Sequence, residues 1–208
     1  MPLSQSKKDI SVALFDCGAV KFGLFTLKSG LKSPIYITLR VLVSYPELLK
    51  MVANELYRIA SPLTFDRIVG IPYTGIPIAS ALSLQTGWPM IYPRKEVKTY
   101  GIPKEIEGTF DEGETVLVVD DLITDGGTKI EIIDRMKQSH LNVKDIIVLI
   151  DREQGGKETL SEKGYALHSV LTIHELIQGL EESGKISRGK AQDLRAYFDD
   201  PHQWQEGK

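Results

Sequence analysis

The sequence is short of cysteine and has no long apolar run. Its single cysteine, Cys17, rules out an internal disulfide and any cysteine-based zinc cluster. The longest purely aliphatic runs, such as residues 116–119, are far too short to span a bilayer. The first residues also lack the apolar core of a signal peptide. We therefore expect no membrane partner and a cytoplasmic location.

Basic residues are not in excess either. The chain has 25 lysines and arginines against 28 aspartates and glutamates, which gives a formal net charge of −3. A protein whose whole surface binds nucleic acid depends on clustered basic side chains, so we expect no nucleic-acid partner. The 208 residues, of which 42% are hydrophobic and 25% charged, suit one globular domain or one domain with a small annex.

Aliphatic runs that alternate with helical patterns predict the fold class. The runs are continuous, which is typical of strands buried on both faces, and the stretches between them have the apolar spacing of helices. This alternation predicts an α/β fold with a parallel, Rossmann-like sheet flanked by helices, whose ligands gather at the carboxyl ends of the strands. The predicted strands are residues 67–70, 90–93, 116–119 and 146–150, and the clearest helices are residues 76–84 and 129–137.

Two parts can be distinguished along the chain. Residues 1–44 combine an N-terminal helix with short β-prone pieces, which predicts a small sheet or hood. Residues 45–208 are predicted to form the core, with a C-terminal strand and helices, as one structural unit. Within it, the polar stretch of residues 95–115 is longer than an ordinary connection, and we expect a mobile, functional loop there.

The most informative segment joins a buried strand to a helix. Asp120 and Asp121 follow the aliphatic run, and a turn rich in glycine and hydroxyl groups follows them at residues 124–128. Backbone N–H groups at a helix start can bind a phosphate, and glycine lets the anion approach closely. Carboxylates beside it would repel that phosphate unless they met sugar hydroxyls, a cation or developing positive charge. A phosphorylated sugar satisfies both requirements, whereas the simpler alternative is a pair of solvated acids.

Other phosphate-binding motifs fit this segment poorly, because no Gly-Lys-Ser/Thr ends the turn and the acids precede the glycines. The segment resembles the binding motif of the type I phosphoribosyltransferases, and the resemblance implies the fold of that family. It also implies that Asp120 and Asp121 are catalytic residues that hold the ribose hydroxyls of phosphoribosyl pyrophosphate. The 5'-phosphate is assigned to the turn of Thr124, Asp125, Gly126, Gly127 and Thr128, in which Asp125 replaces the small residue common in the family.

Residues 21–36 resemble the hood of the orotate-specific members of that family. By this resemblance Lys28 reaches the pyrophosphate of the donor, and residues 34–36, which include Tyr36, cover the base. A cation beside a ring-sized apolar lid suits a planar anion next to a polyphosphate. Taken alone, Lys28 would more simply be a solvated lysine on an edge strand.

Three cations lie within five positions where the strand at residues 90–93 ends. A charge run is usually a solvated surface, but this one begins the long loop, at the same sheet edge as Asp120. The resemblance assigns Arg94, Lys95 and Lys98 to the pyrophosphate and gives Lys98 a catalytic role. It also implies a homodimer in which part of the loop reaches the partner subunit.

Tyr100, in the same loop, is expected to contact substrate. It stands where many free-standing bacterial relatives carry histidine and where the bifunctional uridine monophosphate synthases carry tyrosine. Residues 70–77, with Tyr73 and Thr74, resemble the pyrophosphate loop of the family, whose backbone amides could bind an anion. Many bacterial relatives place lysine at the position of Thr74. An ordinary turn built on proline and glycine is the structural alternative for this loop.

Arg152 follows the strand at residues 146–150 and is the candidate for base selection. Its planar guanidinium can match a carboxylate with two parallel hydrogen bonds. Orotate carries a carboxylate and uracil does not, and the family uses an arginine in this way. A salt bridge that caps the following helix is the structural alternative.

Together these resemblances imply transfer of the phosphoribosyl group from 5-phosphoribosyl 1-pyrophosphate to orotate, in de novo pyrimidine synthesis. They imply Mg²⁺ as cofactor, held mainly through the donor near Asp120 and Asp121. Two alternatives stay open at this point. One is a phosphoribosyltransferase for another base, and the other is a non-catalytic regulator that uses the same fold.

Overall fold

The computed structural model describes residues 3–26, 30, 32–95, 105–201 and 204. These residues form two compact units, one of Met1–Leu48 with Leu171–Lys208 and the other of Leu49–Val170. In chain order the elements are α1 (Gln5–Asp16), β1 (Val20–Thr26), β2 (Lys32–Ile37), a 3-10 helix (Leu39–Ser44), α2 (Pro46–Ala60), β3 (Arg67–Gly70), α3 (Gly75–Thr86), β4 (Met90–Pro93), β5 (Ile106–Glu107), β6 (Thr115–Ile123), α4 (Gly127–Gln138), β7 (Asn142–Asp151), α5 (Gly156–Glu162), β8 (Ala166–Thr172), α6 (Ile173–Glu182) and α7 (Arg188–Asp199).

The unit of Leu49–Val170 is built on a six-stranded sheet in the order β5-β4-β3-β6-β7-β8. β3 pairs in parallel with β4 and with β6, and β6 pairs in parallel with β7. Aliphatic side chains such as Val69, Val118 and Ile146 are fully buried between this sheet and its helices. The predicted α/β class with a mostly parallel sheet is therefore confirmed.

β6 continues beyond the aliphatic run that predicted it. The prediction ended this strand at residue 119, whereas the observed strand reaches Ile123, because its pairing with β7 continues to the Ile123–Asp151 pair. Asp120 and Asp121 are consequently held by the sheet and not by a loop. Their backbone positions are fixed by the pairing of β6 with β7.

The stretch that the sequence assigned entirely to a loop contains β5. This two-residue strand is antiparallel to β4, with Tyr92 opposite Glu107 and Pro93 opposite Ile106. So short a strand has no periodic pattern of its own, which is why the sequence did not indicate it. Residues 96–104 lie outside the described residues, so the predicted mobility of the loop stays a prediction.

The other unit contains the hairpin of β1 and β2, which agrees with the predicted small sheet. It also contains α1 and α6, which approach closely where a β-carbon on Gly179 would lie 2.7 Å from Oγ of Ser11. Nζ of Lys7 lies 2.5 Å from Oε1 of Glu175, although the two residues are 168 positions apart in the chain. The sequence placed α6 and α7 in the same unit as the core, and contacts between such distant segments leave no local pattern from which their grouping could be predicted.

Within the residues that the structure describes, every helix is too short or too polar to cross a membrane.

Candidate active site

Asp120 lies near the carboxyl end of β6 and is buried, with 5% of its surface exposed. Its Oδ1 accepts a hydrogen bond of 2.8 Å from the backbone N–H of Asp121. Its Oδ2 lies 2.5 Å from Nζ of Lys129. Both carboxylate oxygens of Asp120 therefore have protein partners, which is what a buried charge requires.

Asp121 is partly buried beside it and has a different electrostatic environment. Burial, and then the adjacent charge of Asp120, raise the pKa of Asp121 to about 7. The charge of Lys129 and a hydrogen bond with the Thr74 side chain act in the opposite direction. The two neighbouring acids consequently differ, since Asp120 is paired with a lysine and Asp121 ionises only near neutral pH.

The sequence prediction missed Lys129. Its Nζ donates a hydrogen bond of 2.6 Å to the carbonyl oxygen of Leu122, in addition to its ion pair with Asp120. A signal for it was present, because Lys129 has the helical spacing of the buried residues Ile132, Ile133 and Met136. A lysine on the apolar face of a helix needs a buried anion or carbonyl as partner.

The turn between β6 and α4 carries the residues that the sequence assigned to the phosphate. Gly126 adopts a φ of 88°, in the left-handed region that favours glycine. Asp125, Gly127 and Thr128 are exposed, and Thr124 is partly buried. Oδ1 of Asp125 accepts a hydrogen bond of 3.0 Å from the N–H of Gly127. One amide that was assigned to the phosphate is thus engaged by the carboxylate that departs from the family pattern.

The turn after β3 packs directly against the acid pair. A β-carbon on Gly75 would lie 2.7 Å from the carbonyl oxygen of Val119 and 3.1 Å from Oδ1 of Asp120. Glycine is therefore required at this close approach, and Thr74 beside it is buried. The structure brings the predicted pyrophosphate loop and the predicted ribose site together.

A cavity of about 360 Å³ opens beside this turn. The ring of Tyr73 is 59% exposed, and Nζ of Lys95 lies 4.7 Å from its centroid, within the range of a cation–π contact. Two predicted pyrophosphate-binding side chains therefore meet here. The residues that line the cavity are Pro72, Tyr73, Ile76, Tyr92, Pro93, Arg94 and Lys95.

Arg94 has a partner within the protein. Its Nε forms an ion pair with Glu107 of β5, and its carbonyl oxygen accepts a hydrogen bond of 2.7 Å from Arg135. Arg94 thus connects β4, β5 and α4 at the edge of the sheet. If Arg94 binds pyrophosphate, its guanidinium must either contact Glu107 and the pyrophosphate together or give up the contact with Glu107.

Arg152 follows β7 at the same edge of the sheet. Its N–H donates a hydrogen bond of 3.0 Å to the carbonyl oxygen of Ile123, the last residue of β6. Asp151 before it is buried, and desolvation raises the pKa of the Asp151 carboxyl above its usual value. Arg152 is half-buried and begins the segment that runs beside the turn of residues 124–128.

The remaining predicted site residues lie elsewhere in the chain. Tyr36 belongs to β2 in the other unit, where its exposed ring lies 5.4 Å from the ring of Phe25, centroid to centroid. Lys28, Lys98 and Tyr100 lie outside the residues that the structure describes, and their predicted roles stay predictions.

Comparison with known proteins identifies the class to which this fold and site belong. The model of the phosphoribosyl transferase domain matches residues 46–165, which include β3 to β7 and both turns described above. The chain therefore belongs to the phosphoribosyltransferase family.

Individual relatives define the branch of that family. The orotate phosphoribosyltransferase of Pyrobaculum aerophilum is 40% identical over 168 residues, which cover 80% of this chain and 87% of that protein. The bifunctional enzyme PyrF/PyrE of Nostoc sp. is 44% identical over 179 residues, which cover 86% of this chain and 38% of that enzyme. The structure of Leishmania donovani UMP synthase superposes with a TM-score of 0.85 at 41% identity, over 93% of this chain and 42% of that one.

The chain thus spans about two fifths of the length of the bifunctional relatives that it matches. It matches most of the length of the Pyrobaculum enzyme. The chain is a member of the orotate phosphoribosyltransferases, as the motifs in its sequence predicted.

Proposed function

We propose that this chain transfers the phosphoribosyl group of 5-phosphoribosyl 1-pyrophosphate to orotate. The products are orotidine 5'-monophosphate and pyrophosphate, in de novo pyrimidine synthesis. The proposal rests on one observation above all. A pair of unlike acids, Asp120 and Asp121, lies at the carboxyl edge of a parallel sheet, directly before a glycine turn that begins a helix. This is the arrangement that a sugar bearing a phosphate needs.

The reaction forms a bond from a ring nitrogen of orotate to C1' of ribose and breaks the bond from C1' to the pyrophosphate oxygen. Pyrophosphate leaves with the bonding electrons, so positive charge develops on the ribose. Carboxylates held beside the ribose stabilise that charge without having to reorganise. We assign this role to the acid pair, in which Asp121 faces the ribose hydroxyls and Asp120 supports it.

Base selection is assigned to Arg152. Its position after β7, bonded through its backbone to the end of β6, places it beside the turn proposed for the phosphate. A guanidinium there would pair with the carboxylate of orotate. A base without a carboxylate would offer no anion to match the positive charge of Arg152. This contact is the proposed reason for preferring orotate over uracil.

Mg²⁺ is proposed as the cofactor, held chiefly by oxygens of the donor near Asp120 and Asp121. Within the described parts of the chain, no group of three or more histidine, cysteine, aspartate or glutamate side chains could hold a metal. That observation suits an ion that enters with a polyphosphate, since Mg²⁺ commonly keeps several waters and binds one or two carboxylates together with substrate phosphates. Its chemistry would be to neutralise the departing pyrophosphate.

The loop lysines and the assembly complete the proposal. Lys28, Lys95 and Lys98 would bind the pyrophosphate, and Tyr100 would contribute from the same loop, in a homodimer whose partner shares that loop. A cytoplasmic location is proposed as well, because both substrates are anions and cross membranes poorly without a carrier.

The experiment is a spectrophotometric assay of orotate consumption with donor and Mg²⁺, alongside parallel reactions with uracil and with a purine base. We expect turnover with orotate and none with uracil or with the purine base. Turnover with another base and not with orotate would favour the first alternative. Tight donor binding without turnover of any base would favour a regulator and overturn the proposed reaction.

A further inference from the structure

We infer that Lys129 is a positioning residue, which holds Asp120 in place and neutralises it so that Asp121 alone presents a negative charge to the donor. The inference rests on the proposed function and deepens it. It adds a residue of α4 whose side chain acts on substrate only through the acid pair.

The contacts of Lys129 connect the two ends of the turn proposed for the phosphate. Its Nζ lies 2.5 Å from Oδ2 of Asp120 and 2.6 Å from the carbonyl oxygen of Leu122, both in β6 before the turn. Lys129 itself lies in the first turn of α4, after it. The side chain therefore fixes the start of the helix against the end of the strand.

Burial makes this pair a permanent part of the site. The side chains of Lys129 and Asp120 are 8% and 7% exposed. A buried charge is costly unless its partner stays in contact, so neither group can turn outward toward a ligand without leaving the other uncompensated. Direct binding of a phosphate by Lys129 is disfavoured for the same reason, because its donors already meet a carboxylate and a carbonyl.

Asp120 is restrained on its other side as well. Its Oδ1 accepts the N–H of Asp121 at 2.8 Å, and Gly75 leaves just enough room for that oxygen. With Lys129 in place, the cluster of Asp120, Asp121 and Lys129 carries one net negative charge when Asp121 is ionised. Without it the cluster would carry two, next to a donor that is itself a polyanion, and the repulsion would weaken donor binding.

The test compares Lys129→Met with the wild type and with Lys137→Met, the same change two turns further along α4 on an exposed lysine. We expect Lys129→Met to raise the KM of the donor by about tenfold or more, as for one uncompensated negative charge added beside a polyanion. The KM of orotate should stay near the wild-type value, and Lys137→Met should change neither constant. A donor KM equal to that of the wild type, or equal increases for both substrates, would overturn the inference.

A second comparison serves if Lys129→Met does not fold. The double variant Asp120→Asn/Lys129→Met removes both charges of the buried pair, so its cluster keeps one net negative charge, as in the wild type. If Lys129 acts by neutralising Asp120, the donor KM of the double variant stays within about threefold of the wild-type value, whatever its turnover. An increase of about tenfold or more would mean that the lysine acts on the donor directly, and the inference would be wrong.

The wild-type reaction is measured first, which separates the two proposals. An inactive wild type would remove the proposed reaction and this inference together. An active wild type with an unaffected Lys129→Met variant would remove this inference alone.

Discussion

A β-carbon on Gly156 would lie 2.7 Å from the carbonyl oxygen of Thr124. The start of α5 therefore packs directly against the turn proposed for the 5'-phosphate. Two side-chain carbons of Ile123 would lie equally close to that β-carbon, at 2.7 and 2.8 Å. The phosphate turn is consequently supported by backbone contact with the segment that carries Arg152. A substitution in that segment should therefore change the position of the turn.

Gly156→Ala is expected to destabilise the protein and to weaken donor binding. The added methyl group meets backbone and a buried isoleucine, and overpacking of this kind costs about 1–3 kcal/mol. Urea unfolding measures the stability, and the KM of the donor measures the effect on binding at the phosphate turn. Gly189→Ala is the control, because a β-carbon there has nothing within 4 Å and the residue lies in α7. Equal stability of the Gly156→Ala and Gly189→Ala variants would contradict the close approach.

The raised pKa of Asp121, to about 7, predicts a pH-dependent stability. Between the ordinary pKa of aspartate, about 4, and pH 7, the folded state keeps a proton that the unfolded chain has lost. The contribution of Asp121 to the free energy of unfolding is therefore greatest below pH 4, and it is lost as the pH rises toward 7. Asp121→Asn should reduce that loss by up to about 1.4 kcal/mol per pH unit.

Urea unfolding at several pH values between 5 and 7.5 measures this effect. Asp134→Asn, which changes an exposed carboxylate of α4, should keep the wild-type pH dependence. An Asp121→Asn variant whose stability falls with pH as steeply as that of the wild type would show that Asp121 is already ionised at pH 5.

Arg152→Ala should discriminate between the two substrates. If the guanidinium pairs with the carboxylate of orotate, its removal should raise the KM of orotate by about 30-fold or more, as for a truncated charge pair. The KM of the donor should hardly change. Arg58→Ala, which removes an exposed arginine of α2, is the control. Equal losses for orotate and donor would remove Arg152 from base selection.

Asp125→Ala should tighten donor binding. The substitution releases the N–H of Gly127 from its hydrogen bond with the carboxylate and removes a negative charge from the phosphate turn. One hydrogen bond is worth about 1 kcal/mol, so the Kd of the donor should fall by about threefold to tenfold in a calorimetric titration. Glu131→Ala removes an exposed charge from α4, the helix that follows this turn, and should leave the Kd unchanged. Weaker binding by Asp125→Ala would mean that the carboxylate supports the turn more than it competes with the phosphate.

Lys98→Ala tests a residue that the sequence alone proposes. Loss of a cation that stabilises the departing pyrophosphate should lower turnover by about two to three orders of magnitude, with a modest change in donor affinity. Steady-state kinetics measure both, and Lys163→Ala, on an exposed lysine, is the control. Wild-type turnover would exclude Lys98 from the mechanism.

Local patterns were sufficient for much of the fold and for the identity of the main motif. The strands at residues 67–70 and 90–93 were predicted with the bounds that β3 and β4 have, because continuous aliphatic runs and their flanking turns are properties of neighbouring residues. The acid pair and its glycine turn were likewise visible as consecutive residues. The family assignment follows from these local sequence motifs and needed no coordinates.

Contacts between distant residues were decided by the tertiary structure alone. The ion pair of Lys129 with Asp120, the pairing of Arg94 with Glu107 and the approach of Gly156 to Thr124 each join elements that the chain brings together only on folding. The extension of β6 to Ile123 depends in the same way on its pairing with β7. The sequence determined which groups could do chemistry, whereas packing determined which of them are already paired, since burial and distance arise only when the sheet and its helices assemble.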